Sequence, residues 1–146
     1  MYMRFVALVA CTTALIACGK EEKTESHRDS DDTPAAVVNL DPNTITKAEL
    51  ALGDSVFHGM IGAVSCQACH GPNGKGGPQA ADLTDQEWLH SDGTYTAIYH
   101  TIETGVMNPT KAAGVMPPFG GAPMTPAQHR AVAAYVYSLS HKVDAK

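Results

Sequence analysis

The chain lacks the cationic footprint that a phosphate backbone requires. Lysine and arginine number 10 against 15 aspartates and glutamates, giving a formal charge of −5, so nucleic acid is excluded as a partner. Period-two alternation of apolar and polar residues is also absent, which argues against a sheet and leaves a mostly α-helical domain. No internal repeat points to a second domain of the same kind. Only four cysteines occur among 146 residues, and no second paired cluster accompanies Cys66 and Cys69, so the four ligands of a structural zinc site are not supplied. Aromatic residues make up 6%, and Trp88 is the only tryptophan.

The remaining two cysteines, Cys11 and Cys18, lie in or at the end of a leader. Met1 to Arg4 forms a positive start, and residues 5–17 form an apolar run too short to cross a bilayer as a helix, the pattern of an export signal. Leu15-Ile16-Ala17-Cys18 resembles the lipobox of bacterial lipoprotein signals. That resemblance implies cleavage before Cys18, lipidation of Cys18, and a chain tethered on the periplasmic side of a membrane by acyl groups. Gly19 follows the cysteine, so the choice of inner or outer membrane stays open. Residues 1–17 are thus expected to be the signal peptide and 18–45 a lipidated, charged linker. Its first part, 19–34, has no large apolar residue to bury and should stay solvated. A domain of about a hundred residues, 46–146, follows, small enough that its own core is marginal.

What is present centres on Cys66-Gln67-Ala68-Cys69-His70, a CxxCH run. Two thiols at this spacing can add across the two vinyl groups of a haem, and the adjacent imidazole can bind the iron. A thioredoxin-like dithiol is the rival reading, but it requires a βαβ pattern around the motif, and the flanks here are Gly-rich and helical. A disulfide across so short a loop would stabilise little. The expected cofactor is therefore one covalently bound haem c, whose apolar plate would help supply the core.

Helix signals frame this motif. Thr46 with Glu49 makes a capping-box pattern for a helix over residues 46–60, with Leu50, Gly53 and Phe57 on one face. Gly53 in a helix interior implies close approach of another helix. Thr125-Pro126-Ala127-Gln128 marks the start of the last helix, with Val132, Tyr135, Val136 and Leu139 as its apolar stripe. Residues 94–104 support a shorter helix, and 86–90 a further turn.

In this order the motifs resemble a class I c-type cytochrome over residues 46–141. The resemblance implies an all-α fold of several short helices wrapped around the haem, with Gly53 and Phe57 of the first helix crossing Tyr135 of the last. The interval from Phe57 to Cys66 is longer than the family's common form, so residues 58–65 should form an extra loop. Val115-Met116-Pro117-Pro118-Phe119-Gly120-Gly121 looks like the axial-methionine loop, implying Met116 as sixth iron ligand opposite His70. Met107, Met124, His90, His100, His129 and His141 are formal competitors, and the histidines among them are expected at the surface or beside the propionates. The carbonyl of Pro78 is the expected acceptor for the other nitrogen of His70. Trp88, Tyr95 and Tyr99 are expected to pack the core and to be able to donate to haem propionates.

His and Met on both faces leave no open iron site, so the resemblance implies an electron carrier cycling between Fe(II) and Fe(III), and not an enzyme. Its expected partners are a redox protein donor and acceptor, as a monomer or as a subunit of a dehydrogenase or oxidase complex. A five-coordinate haem enzyme or gas sensor is the alternative, but no distal acid/base pair is apparent.

Overall fold

Thr46 caps the first helix as its spacing from Glu49 predicts. Thr46 Oγ1 accepts the backbone N–H of Glu49 at 3.1 Å, and Glu49 Oε2 accepts that of Thr46 at 3.5 Å. The computed structural model describes residues 38–146. The expected signal peptide and the linker up to residue 37, including Cys18, lie outside the described residues. Four helices follow in chain order: α1 (Lys47–Phe57), α2 (Gln67–His70), α3 (Tyr95–Thr104) and α4 (Pro126–Ser140). Short 3₁₀ turns occupy Pro42–Thr44 and Pro118–Gly121. Among the described residues the only β pairing is an isolated antiparallel bridge between Val106 and Met116.

α4 begins with the second capping box, Thr125 Oγ1 taking the Gln128 N–H at 3.2 Å and Gln128 Oε1 the Thr125 N–H at 2.9 Å, with Pro126 at the first helical position. α1 and α4 cross at Gly53. A Cβ built there would lie 2.1 Å from the Ala131 carbonyl oxygen and 2.7 Å from Tyr135 Cβ, so only glycine lets the two backbones meet. Phe57, fully buried, reaches Tyr135 one turn further on, ring centroids 5.2 Å apart.

α3 closes the core with Tyr95, Ile98 and Ile102, all buried. Tyr95 Oη donates to the Arg130 carbonyl at 3.0 Å, while Arg130 Nε donates to Glu49 Oε1 at 2.9 Å, so one polar chain joins α3, α4 and α1. Leu40 and Ile45 are also buried in this core, which therefore reaches back beyond Thr46.

Residues 86–90 do not form a helical turn. Asp82 Oδ1 accepts the Thr84 N–H at 2.7 Å and Asp85 Oδ1 the Glu87 N–H at 2.8 Å. These local side-chain bonds satisfy the donors that a helix would need and hold the segment in successive bends.

Candidate functional site

α2 is a single turn, yet it sets the geometry of the attachment motif. The Cys66 carbonyl accepts the N–H groups of Cys69 at 3.2 Å and His70 at 3.0 Å. Residues spaced i, i+3 and i+4 share one helix face, so both thiols and the imidazole turn the same way. Cys66 is half-buried and Cys69 exposed, and no disulfide joins them. Burial pushes the Cys66 thiol up to about 11. Exchange chemistry requires a lowered thiol pKa, so this environment disfavours the dithiol reading. Among the described residues no three His, Cys, Asp or Glu side chains gather as they would around a bare metal ion.

After Gly71 the chain folds back on itself, with Gly76 N–H bonded to the His70 carbonyl at 2.8 Å and Leu83 N–H to that of Gly74 at 2.7 Å. This return places the Ala81 carbonyl, not that of Pro78, 3.0 Å from His70 Nδ1. The Pro78 carbonyl is engaged elsewhere, accepting the Ala113 N–H at 2.9 Å, and Gln79 O accepts that of Gly114 at 3.0 Å. With Nδ1–H donating to Ala81, the His70 tautomer keeps its lone pair on Nε2. Burial lowers the His70 pKa, against the opposing pull of the Ala81 carbonyl, and so favours the neutral ring.

Met116 stands on the other wall. Its N–H and carbonyl pair with those of Val106 at 3.0 and 2.7 Å. Gly105 makes that pairing possible: a Cβ there, at φ +69°, would sit 2.4 Å from the Met116 oxygen. Pro117 and Pro118 follow, and Phe119 turns the chain at φ 53°. The two walls are tied by the Pro78–Ala113 and Gln79–Gly114 bonds.

Between them lies a cleft of about 1210 Å³, including solvent at its mouth, into which Cys66, Cys69, His70 and Met116 all face together with Trp88 and Met124. Its lining is predominantly apolar. Trp88 Nε1 is a buried donor with no partner among the described residues. Such a group costs about 1–3 kcal/mol unless something accepts its hydrogen. A flat apolar group bearing peripheral carboxylates meets these requirements: thiols at one edge, a nitrogen lone pair and a thioether from opposite walls, and an acceptor for the indole.

The competing residues separate by position. Met107 is 59% exposed and does not line the cleft. Of the downstream histidines only His90 reaches the lining, where its Nε2 accepts the Thr110 N–H at 3.3 Å. His129 departs from the surface or propionate position expected of it. It is 3% exposed, stacked on Tyr99 with centroids 3.6 Å apart, and its Nε2 donates to the Tyr99 carbonyl at 2.9 Å. The first turn of α4 faces α3 there, and no local sequence signal gives that orientation. Tyr95 and Tyr99 pack away from the cleft, leaving Trp88 as the aromatic donor within it.

The family model described as cytochrome C oxidase, cbb3-type, subunit III matches residues 48–136. The cbb3-type cytochrome c oxidase subunit CcoP of Rubrivivax gelatinosus is 36% identical over 107 residues, covering 73% of this chain and 30% of that protein. The corresponding subunit FixP of Rhizobium etli is 33% identical over 125 residues, 84% of this chain and 41% of that protein. This chain thus spans less than half the length of either. Among solved structures, cytochrome cL from Hyphomicrobium denitrificans superposes with a TM-score of 0.50 at 23% identity, covering 75% of this chain and 60% of that one.

Proposed function

From the premise that this chain belongs to the cbb3-type cytochrome c oxidase subunit III family, as an all-α class I c-type cytochrome domain, we propose that it carries single electrons through one haem c. The haem would be attached by Cys66 and Cys69 and ligated by His70 Nε2 and Met116 Sδ. The carrying observation is the cleft itself, which gathers these four side chains from two separate walls. When bound, the haem supplies an iron that gains and loses one electron.

The protein's residues do the positioning. His70 is held in its ligating tautomer by Ala81, and Met116 is held by its two bonds to Val106. Two stiff prolines after Met116 keep the thioether from swinging away. Trp88 lines the same cleft and contributes apolar packing surface to it. His70 and Met116 would together hold the haem iron, and a haem so held would serve electron transfer and not reaction with oxygen or peroxide. Replacing Met116 with Ala should abolish the weak near-infrared band of the oxidised holoprotein and lower its reduction potential. An unchanged spectrum assigns the ligand elsewhere, with Met124 the next sulfur in the cleft.

The finer placement is extracytoplasmic and lipid-anchored, with residues 1–17 removed and Cys18 acylated. No helix among the described residues is long and apolar enough to span a membrane. The intact mass of exported native protein should correspond to a chain starting at Cys18 plus acyl groups plus one haem; a mass without haem overturns the cofactor reading. The relatives are named as oxidase subunits, and this favours a second form of the same reading: a haem c unit that delivers electrons within a terminal oxidase complex.

A further inference from the structure

Among the described residues His129 is the one imidazole buried in the core, at 3% exposure, and it lies outside the cleft. Its N–H, bonded to the Thr125 carbonyl at 2.9 Å, sets it in the first turn of α4. From α3, Tyr99 holds the ring: Nε2–H donates to the Tyr99 carbonyl at 2.9 Å, and the two rings stack with centroids 3.6 Å apart. A buried ring that is both hydrogen-bonded and stacked has one orientation, so α3 and α4 together present a fixed aromatic wall.

Phe119 abuts that wall, its ring centroid 5.0 Å from that of His129 and the planes at 82°, an edge-to-face pair. It stands three residues after Met116 at φ 53° and ψ 25°. A side chain with a Cβ holds such left-handed values only where its surroundings impose them. The turn imposes little by itself, since its internal backbone bond is a single one, Gly120 N–H to the Pro117 carbonyl at 2.9 Å. Upstream, Met116 is secured by its two bonds to Val106. Downstream, Pro117 and Pro118 make a stiff segment without N–H groups, which carries any movement of Phe119 back to Met116.

We propose that His129 is the positioning residue for the sulfur ligand: by holding the Phe119 ring it fixes the far end of the Met116–Pro117–Pro118 segment and keeps the thioether turned into the cleft. The inference rests on the reading of Met116 as the iron's ligand and adds what holds it there. Thioether ligation raises the reduction potential, so the sulfur binds Fe(III) less firmly than Fe(II), and a loosened segment shows first in the oxidised protein.

The test is equilibrium binding of cyanide to the Fe(III) holoprotein, followed by the Soret shift. Cyanide has to displace Met116, so its apparent affinity follows the fraction of molecules with the sulfur detached. His129→Leu keeps the core filled but removes the ring and its bond to Tyr99. It should raise the cyanide affinity at least about tenfold. Phe119→Ala, at a half-buried position, should do the same. The double variant should exceed the stronger single by no more than about twofold, because the two rings act as one support. Ile45→Ala, a cavity in the same core at a residue outside the cleft, should leave the affinity within about twofold of wild type. An unchanged affinity in either single variant, multiplied effects in the double, or an equal rise in Ile45→Ala overturns the positioning role. Equal affinity for wild type and Met116→Ala instead removes Met116 from the iron and defeats the ligand reading itself.

Discussion

His58 carries information at the scale of one side chain. Its Nδ1 lies 2.9 Å from the Asp54 carbonyl and 3.1 Å from Asp54 Oδ1, and its Nε2 lies 2.9 Å from the Pro72 carbonyl. Every neighbour is an acceptor, so both ring nitrogens must donate, and that is possible only for the imidazolium. The Pro72 carbonyl, then that of Asp54, raises the His58 pKa above the ordinary imidazole value near 6.5. A raised folded-state value means that the folded protein holds the proton more tightly. The resulting stability is complete below the unfolded-state value and fades as pH rises through the folded-state value. His129 has the opposite sign: burial lowers its pKa, so the stability it contributes is lost as pH falls. Denaturant unfolding of the holoprotein between about pH 6 and about pH 8 should show wild type more stable than His58→Gln on the acid side, by a margin that shrinks toward the alkaline side. A stability difference between wild type and His58→Gln that does not shrink toward alkaline pH would sink this assignment. The clamp was not legible in the sequence, because His58 and Pro72 are 14 residues apart and nothing local announces the contact.

At the scale of elements, the α1–α4 crossing and the two capping boxes make unequal contributions. Losing a capping residue such as Thr125 costs about 1 kcal/mol. Alanine at position 53 gains about 1 kcal/mol of helix propensity, but its Cβ would stand 2.1 Å from a backbone oxygen that cannot move without shifting α4. Overpacking of this kind typically costs about 1–3 kcal/mol, and more where backbone resists. Gly53→Ala should therefore destabilise the holoprotein by at least about 3 kcal/mol, measured by denaturant unfolding, whereas Thr125→Ala should cost only the cap. A Gly53→Ala protein of wild-type stability would show that the helices do not cross there. Both caps and the crossing residues were readable in the sequence, since capping depends on side chains three residues apart and an interior glycine has few other uses. The bends at 86–90 were not, because two Asx turns in succession overrode a weak helical pattern.

For the molecule as a whole, the cleft runs through the region where a larger protein would have continuous core. Phe57, Ile98, Val132 and Val136 line it from α1, α3 and α4, so the helices and the haem complete one another's packing. If this chain serves as a unit of a terminal oxidase, it should remain with that complex through a wash at high salt, tested by co-purification. Complete release into the wash would leave a mobile carrier.

The attachment motif and the helix starts were set by the sequence alone, because each depends on residue identity at short fixed spacing. Tertiary structure decided which carbonyl steadies His70, which aromatic faces the cleft and where His129 lies. The return of residues 71–83 exchanges Pro78 for Ala81 as the acceptor, since the Pro78 carbonyl is drawn off to Ala113 on the methionine wall. Long-range backbone pairing of that kind leaves no periodicity to read; it follows from how loops close against a packed core.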